Sequence, residues 1–464
     1  MRSSEATVSG QPSAVSDRAR QLLAGQRALV IGLAREGVDL TRFLVGHGAS
    51  VVVTDRKSAE ELADFTGQLD GYEVSYRVGG HGAVELDEID VVYASPGVPP
   101  DNEVLRNAER RGIRRSSLVE LFFALCPAPI VGVTGSAGKS TTTSLLGLMF
   151  DKARRHVFVG GNIGRPLLGK LEEMTPSSWV VMELSSFQLE PLQVSPQVAL
   201  VTNVTPNHLD RHPSMEAYWA AKGQILAHQS PSDWAVLNAD DEWSRRYVPV
   251  GRTLRFSLEG VVEGAYLAED ELMLLGTPLL KREEIPLRGQ HNVANVLAAA
   301  ATAHAAGIER SAMREAVHEF RGVPHRLTVV GEHDGVVYVD DSIATAPERS
   351  IAALLAYDEP IVMIAGGRDK HLPMQQWAKL IARRVRHVVL FGEMSDLVAR
   401  ALADVGYTAI SRTASMDEAV RAASRVALPG DVVLLSPGGT SYDMYRDFEQ
   451  RGDDFARAVR EVAG

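Results

Sequence analysis

Residues 131–143, Val-Gly-Val-Thr-Gly-Ser-Ala-Gly-Lys-Ser-Thr-Thr-Thr, decide how this chain is read. The pattern predicts a strand over 127–133 and a helix over 141–150, joined by a glycine-rich turn. Such a turn aims backbone N–H groups and a positive helix end at an anion. Gly135, Ser136, Ala137, Gly138, Lys139, Ser140 and Thr141 are therefore expected to hold ATP, with Lys139 on the β/γ-phosphates and Ser140 on Mg²⁺. The strict phosphate-loop spacing asks for glycine five residues before Gly138. Val133 stands there, and Gly135 is the nearest substitute. A turn with no ligand is the competing reading, and Gly-Lys-Ser-Thr between a strand and a helix argues against it.

Upstream, Ala28-Leu-Val-Ile-Gly-Leu-Ala34, an amphipathic stretch over 38–48 and Ser50-Val-Val-Val-Thr-Asp55 open a doubly wound α/β unit. Gly32, Arg35, Glu36 and Gly37 form the first turn, and Asp55 falls where an acid can hold a ribose hydroxyl. Ala34 replaces the glycine that lets backbone approach a pyrophosphate, and Arg56 follows the acid. Three readings stay open: a close-packed turn without ligand, a nicotinamide site, or a site for a nucleotide-linked substrate carrying its own diphosphate. A further strand over 90–94 ends in Ser95-Pro-Gly-Val-Pro-Pro100, a loop where a strand's carboxyl end meets ligand.

Downstream, short apolar strands over 179–182, 198–204 and 234–237 alternate with helices, which implies a mainly parallel sheet. Glu183, directly after a strand, can serve as an oxygen ligand for Mg²⁺ or merely start a helix. Asn203-Val-Thr-Pro-Asn-His-Leu-Asp-Arg-His212 ends another strand, with His208 suited to metal ligation or acid/base work and Asp210 to orienting it. Lys222, taken alone, reads as a solvated surface lysine. Asn292 and Asn295, three apart on a helix face, can read polar ligand edges or cap the helix. Arg321-Gly-Val-Pro-His-Arg326 breaks the pattern as a hinge, and Arg326 can clamp phosphate. Strands over 336–339, 361–364, 388–391 and 432–435 then build a third α/β unit, whose Asp340-Asp341-Ser342, Gly366–Lys370 and Ser436–Ser441 loops fall at strand carboxyl ends.

The expected fold class is thus α/β in three domains: a Rossmann-like one over 27–118, a central phosphate-loop ATPase-type parallel sheet over 119–322 and a C-terminal Rossmann-like one over 323–464. Residues 1–26 read as a tail without an apolar core. The 464 residues carry a net charge of −11, with Lys and Arg scattered, so nucleic acid is not an expected partner. No apolar run is long enough for a membrane span. Cys126 is the single cysteine, which excludes an intrachain disulfide and suits a reducing cytoplasm. A monomer is expected.

The order and content of these motifs resemble the Mur ligases over nearly all of residues 27–464. The resemblance rests on Ser95-Pro-Gly-Val, Gly132-Val-Thr-Gly-Ser-Ala-Gly-Lys-Ser-Thr, Gly160-Gly-Asn-Ile-Gly164, Glu183-Leu-Ser-Ser-Phe-Gln-Leu, Asn203-Val-Thr-Pro-Asn-His-Leu-Asp-Arg, His291-Asn-Val-Ala-Asn, His325-Arg, Asp341-Ser and Phe448-Glu-Gln-Arg-Gly452. It implies ATP-dependent amide formation in peptidoglycan synthesis, joining glutamate, with D-glutamate the default, to UDP-N-acetylmuramoyl-L-alanine through an acyl phosphate. Lys139, Glu183, His208 and Lys222 are then the catalytic set. Lys139 and Ser140 hold the triphosphate and one Mg²⁺, Glu183 and His208 hold a second, and Lys222 aligns with a lysine that the family carbamylates. Asn292, Asn295, Arg326 and Asp341 contact ATP. Gly32, Arg35, Glu36, Gly37, Asp55, Arg56, Ser95 and Asn162 contact the uridine-linked substrate, and Thr345, Lys370, Ser441 and Phe448 the glutamate. Where many members read Asp-Ser-Lys-Ala-Thr-Asn, this chain has Asp341-Ser-Ile-Ala-Thr-Ala346, which loses a cation; Arg368 is the nearby candidate to replace it.

Overall fold

Four strands buried at every position set the architecture, Ile361–Gly366 and Val432–Gly438 among them. Ile130–Thr134 and Val198–Val201 are buried at every position, as central parallel strands covered on both faces must be. The computed structural model describes residues 14–463 except 82–83, 100, 164–165, 208–210, 288 and 371. The chain divides into two compact units, to Phe320 and from Arg321.

The first unit contains two sheets. One is all parallel, in the spatial order Val74–Val78, Ser50–Asp55, Arg27–Ile31, Val91–Ala94, Arg114–Ser116. The other has nine strands, in the order Thr277–Lys281, Glu271–Leu274, Gly264–Ala268, Arg252–Ser257, Trp234–Asn238, Val198–Val201, Ile130–Thr134, Trp179–Glu183, Val157–Gly161. A single buried cluster joins them, running from Val30 and Phe43 through Phe122 to Met182, Leu189 and Tyr218. The second unit carries a six-stranded sheet in the order Thr328–His333, Val336–Asp340, Val432–Gly438, Ile361–Gly366, Val385–Phe391, Ile410–Arg412. Its first strand alone is antiparallel.

The strand order reverses beside Arg27–Ile31, beside Ile130–Thr134 and beside Val432–Gly438, the positions at which open α/β sheets receive ligands. These three points receive the turns read from sequence. Opposite the central sheet, the helix Lys139–Lys152 packs on the alanine-rich helix Gln290–Ala305, whose small side chains permit close approach.

The parallel expectation fails at one edge of the central sheet. Gly264–Ala268, Glu271–Leu274 and Thr277–Lys281 form antiparallel hairpins with two-residue loops, and Leu275 and Gly276 both take the positive φ of a type I′ turn. Leucine and methionine dominate these strands, so composition does not mark them as β. The expectation of a tail over 1–26 also fails for part of its length. Ala14–Leu23 is a helix that buries Val15, Ala19 and Leu23, spaced at four residues on one face. Polar neighbours masked that stripe in the sequence, and residues 1–13 lie outside the described ones. Leu23→Ala is expected to cost roughly 2–4 kcal/mol of stability, measured by denaturant unfolding; a change below about 0.5 kcal/mol would show that the helix contributes nothing.

Candidate active site

The phosphate turn is held from behind by the loop that follows Val198–Val201. Ser136 N–H donates to Asn203 O (2.9 Å), Ala137 N–H to Asn203 Oδ1 (2.9 Å), and Asn203 Nδ2 returns to Ala137 O (3.2 Å). Thr202 Oγ1 donates to Ala137 O (2.7 Å), and Ser136 Oγ to Thr205 O (2.9 Å). Gly135, at φ +149°, lies so close that a Cβ would overlap Thr202 Oγ1, and Gly138, at φ +80°, is covered by Asn295 Oδ1 in the same way. The glycine that the strict spacing places at Val133 is therefore replaced in function by Gly135. Ser140 is buried in the first turn of the helix Lys139–Lys152, beside Thr141.

Lys139 Nζ folds back onto Gly135 O (3.0 Å) and Ser136 O (3.2 Å). Lys222 Nζ donates to the same Gly135 O (2.8 Å) and lies 4.5 Å from the centre of the Tyr218 ring. Lys222 is 1% exposed, which corrects its reading as a solvated surface lysine. Its helix, Met215–Ala227, is nearly apolar and turns this side toward the sheet. Burial and then the charge of Lys139 pull the Lys222 ammonium down to about 6, against the opposing effect of Glu183. A neutral amine at ordinary pH is a nucleophile, as a surface lysine is not.

Glu183, 2% exposed, ends its strand with Oε1 accepting from Asn162 Nδ2 (2.9 Å). Its Oε2 is buried without a hydrogen-bond partner. An orphaned carboxylate oxygen near a phosphate turn is what a hard divalent cation would take up, so the residues present fit Mg²⁺. The expectations for His208 and Asp210 lie outside the described residues. Asn292 and Asn295 are brought together, Asn295 Nδ2 donating to Asn292 Oδ1 (3.1 Å), while Thr142 Oγ1 donates to Asn295 Oδ1 (3.4 Å). Asn295 thereby reaches the phosphate helix, and neither side chain caps its own helix.

In the N-terminal sheet, Asp55 Oδ2 accepts from Leu33 N–H (2.8 Å) and Ser95 Oγ donates to Gly32 O (3.0 Å), so the two loops close on each other. Gly37 is required because a Cβ would overlap Gly32 O. Arg35 is exposed and Arg56 lies beside His81. Glu36 accepts from Gln188 Nε2 (2.8 Å); burial pushes its carboxyl up to about 7, the Gln188 bond opposing and Asp39 adding to the rise. The helix N-terminus favours the ionised form by about 0.3–1 kcal/mol, less than its desolvation costs.

In the second unit, Asp341 Oδ2 accepts from Ser436 Oγ (2.9 Å), and burial raises its carboxyl to about 7 against that bond and Arg326. Lys370 Nζ donates to Thr345 Oγ1 (3.3 Å), Ser441 is buried, and Phe448 O accepts from Ser342 Oγ (2.8 Å). Arg368 does not replace the missing cation: its Nε and Nη2 both bind Glu393 at 2.9 Å.

Sequence reasoning assigned no role to Gln188, Asn203, Arg211 or Arg451. Arg211 donates to the carbonyls of Pro96, Gly97 and Val98 (3.2–3.3 Å) with Phe187 beneath its guanidinium. Arg451, wholly buried, donates to Ser342 Oγ, Ser342 O and Gly439 O and so braces the loops at one strand reversal. All four lie inside quoted motifs, but their work is to hold other loops, which spacing alone does not reveal.

Residues 26–116, 133–303 and 325–439 match, in order, the Mur ligase MurD-like N-terminal domain, the Mur ligase middle domain and the Mur ligase glutamate ligase domain. The chain is 43% identical over 449 residues to the UDP-N-acetylmuramoylalanine–D-glutamate ligase of Symbiobacterium thermophilum, covering 94% of this chain and 98% of that one. It is 41% identical over 446 residues to the protein of the same name from Pelotomaculum thermopropionicum, covering 94% and 97%. Its fold resembles that of the UDP-N-acetylmuramate-alanine ligase of Thermotoga maritima (TM-score 0.58, 20% identity, 94% of this chain and 99% of that one). It also resembles a pseudomurein peptide ligase type C from Methanothermus fervidus (TM-score 0.54, 17% identity, 94% and 100%). Fold, phosphate turn and relatives together define an ATP-dependent ligase that forms amide bonds. The chain belongs to the Mur ligase family.

Gly135→Ala is expected to cost more than about 2 kcal/mol of stability and to abolish ATP binding, because Thr202 Oγ1 is already committed to Thr134 O and Ala137 O. Thermal unfolding with and without ATP measures both, and an unchanged ATP-induced shift would refute the packing argument.

Proposed function

We propose that this chain joins D-glutamate to UDP-N-acetylmuramoyl-L-alanine with hydrolysis of ATP to ADP and phosphate, in the synthesis of peptidoglycan precursors. The observation that carries the reading is the convergence of Lys139, Lys222 and the unpartnered Glu183 oxygen around the phosphate turn. Near-full-length relatives named for this reaction support the substrate choice.

In this reading the muramoyl-alanine carboxylate attacks the γ-phosphorus and ADP leaves, giving an acyl phosphate. The glutamate amine, having lost a proton, then attacks the acyl carbon, and phosphate departs from a tetrahedral intermediate. Positioning and charge neutralisation do most of the work. The phosphate turn and Lys139 hold the triphosphate, with Asn292 and Asn295 beside them and Arg326 and Asp341 as further ATP contacts. One Mg²⁺ at Ser140 and a second at Glu183 and His208, supported by a carbamylated Lys222, would neutralise charge on the transferring phosphoryl group. The buried, readily deprotonated Lys222 amine suits carbamylation, which converts a cation beside Lys139 into an anion. Asn162 orients Glu183 and faces the muramoyl end, while the Gly32–Gly37 turn, Asp55, Arg56 and Ser95 take the uridine diphosphate. Thr345, Lys370, Ser441 and the Phe448 backbone receive glutamate, Lys370 and the hydroxyls matching its carboxylates. The division into 27–118, 119–322 and 323–464, a monomeric state and a cytoplasmic site of action belong to the same proposal. Among the described residues no helix is long and apolar enough to cross a membrane.

Phosphate release in the presence of ATP, Mg²⁺ and UDP-N-acetylmuramoyl-L-alanine should require D-glutamate; release with L-glutamate alone would reassign the pocket, and none with either would overturn the reading. Lys222→Ala should lose at least about a hundredfold in kcat and recover part of it with added acetate or formate; near-full activity would remove Lys222 from the mechanism. Ile343→Lys should leave the KM for glutamate within about threefold, because the Arg368 guanidinium is engaged with Glu393. A tenfold or larger rise would show that the pocket is built around isoleucine.

A further inference from the structure

Glu36 is an anomaly for the site in which it lies. It is the second residue of the helix Arg35–Gly46, in the turn that receives a diphosphate, where a carboxylate carries the wrong charge. It is nevertheless held in place. Gln188, 2% exposed, donates Nε2 to Glu36 Oε1 at 2.8 Å, and its own Oε1 is committed to Ser185 N–H (2.9 Å) and Ser185 Oγ–H (3.1 Å). The amide cannot turn its oxygen toward Glu36 without breaking the capping box that starts Ser186–Leu189.

Glu36 lines two adjoining cavities. One is bounded by Ser95, Arg115, Phe187, Glu190 and Arg211, the other by the apolar side chains of Leu118, Val119, Phe122, Leu167 and Met182. The charged groups facing it among the described residues are few. Asp39 lies one turn along the same helix, with Arg35 beside it at the surface. Arg115 comes from the strand Arg114–Ser116, and Glu190 from the end of Ser186–Leu189. Arg211 comes from the loop after Val198–Val201, its guanidinium already bound to Pro96, Gly97 and Val98 carbonyls. No salt bridge to Glu36 is formed by any of them, so an ionised Glu36 meets the incoming anion with its charge uncompensated.

We propose that Glu36 couples substrate binding to proton uptake: the diphosphate of the uridine-linked substrate enters the Gly32–Gly37 turn only as Glu36 becomes a neutral carboxylic acid held by Gln188. The proposal rests on the reading of that turn as the uridine-diphosphate site. Protonation removes the like-charge repulsion, which is screened poorly in a half-buried site. It also supplies an O–H donor for a phosphate oxygen while Oε1 still accepts from Gln188. Burial and the nearby Asp39 already hold the Glu36 carboxyl near neutrality, so the proton is taken up at ordinary pH. Sign follows from linkage: affinity is highest below about pH 7 and falls as pH rises. The same raised carboxyl contributes stability that is complete below the ordinary glutamate range and lost as pH climbs through 7.

The test is calorimetry with UDP-N-acetylmuramoyl-L-alanine and the full-length protein at pH 7.5, in two buffers of different ionisation enthalpy. This ligand's esterified diphosphate does not titrate between pH 6.5 and 8.5. The wild type should take up about 0.5–1 proton per substrate bound, and its affinity should weaken toward a limit of about tenfold per pH unit above 7. Glu36→Gln, which keeps the size and an oxygen acceptor for Gln188, should take up none through this position and should bind more tightly than wild type at pH 8.5. His81, bonded to Thr54 and facing Asp55 and Arg56, also titrates near the turn, and it is common to both proteins. Asp39→Asn should retain the uptake, and a melting temperature within a few degrees of wild type confirms that each variant is folded. Equal proton uptake by wild type and Glu36→Gln would overturn the coupling. Absence of any binding heat in the wild type would instead overturn the uridine-diphosphate site itself.

Discussion

The carbonyl oxygen of Gly135 carries two lysines, and the candidate site depends on that arrangement. Lys139 and Lys222 both reach it, at 3.0 and 2.8 Å, inside a protein wall closed by Tyr218 and Thr202. Two ammonium ions so near each other cannot both remain charged cheaply away from water. The buried one gives way, and Lys222 becomes the group most ready to lose its proton. Glu183 supplies the balancing negative charge, with one oxygen fixed by Asn162 and the other left without a protein partner. The site thus holds two amines on one carbonyl oxygen and a buried carboxylate oxygen without a protein partner.

Several candidate ligand loops sit where a parallel sheet reverses its strand order, and these are stapled by side chains from other segments. Asn203 fastens the phosphate turn, Arg211 the Ser95–Val98 loop, Gln188 the start of the helix Arg35–Gly46, and Arg451 the loops around Ser342 and Gly439. The staples serve precision: a reaction that runs through an acyl phosphate gains most from groups held in place beforehand. The N-terminal and central sheets share one buried core within the first compact unit, and the chain beyond Phe320 forms a second.

Much of the site was legible because its chemistry is written in short motifs at strand ends. Gly138, Lys139, Ser140, Glu183, Asn292 and Asn295 could be placed from the alternation of apolar strands with helices. Three features escaped the reading of residues by themselves, although the family resemblance recovered Lys222. Lys222 looks solvated because its helix is rich in alanine and shows little amphipathic contrast, so burial is set by what packs against it. The hairpins of Gly264–Lys281 escaped because leucine and methionine carry no strand preference, and tertiary pairing overrides their helix propensity. The helix Ala14–Leu23 escaped because three apolar residues among polar ones form a stripe only once a neighbouring surface exists to receive it.

The sequence by itself determined the family, the α/β order of three sheets and the identity of the phosphate turn, since each depends on local spacing or on motifs read along the chain. Tertiary structure decided what the individual groups are: that Gly135 must be glycine because Thr202 crosses it, that Lys222 is a buried amine, that Arg368 is occupied by Glu393, and that Glu36 is a held, half-buried acid. The physical reason is the same in every case. Charge state and steric demand are set by neighbours that are distant in sequence and brought within a few ångströms only by the fold.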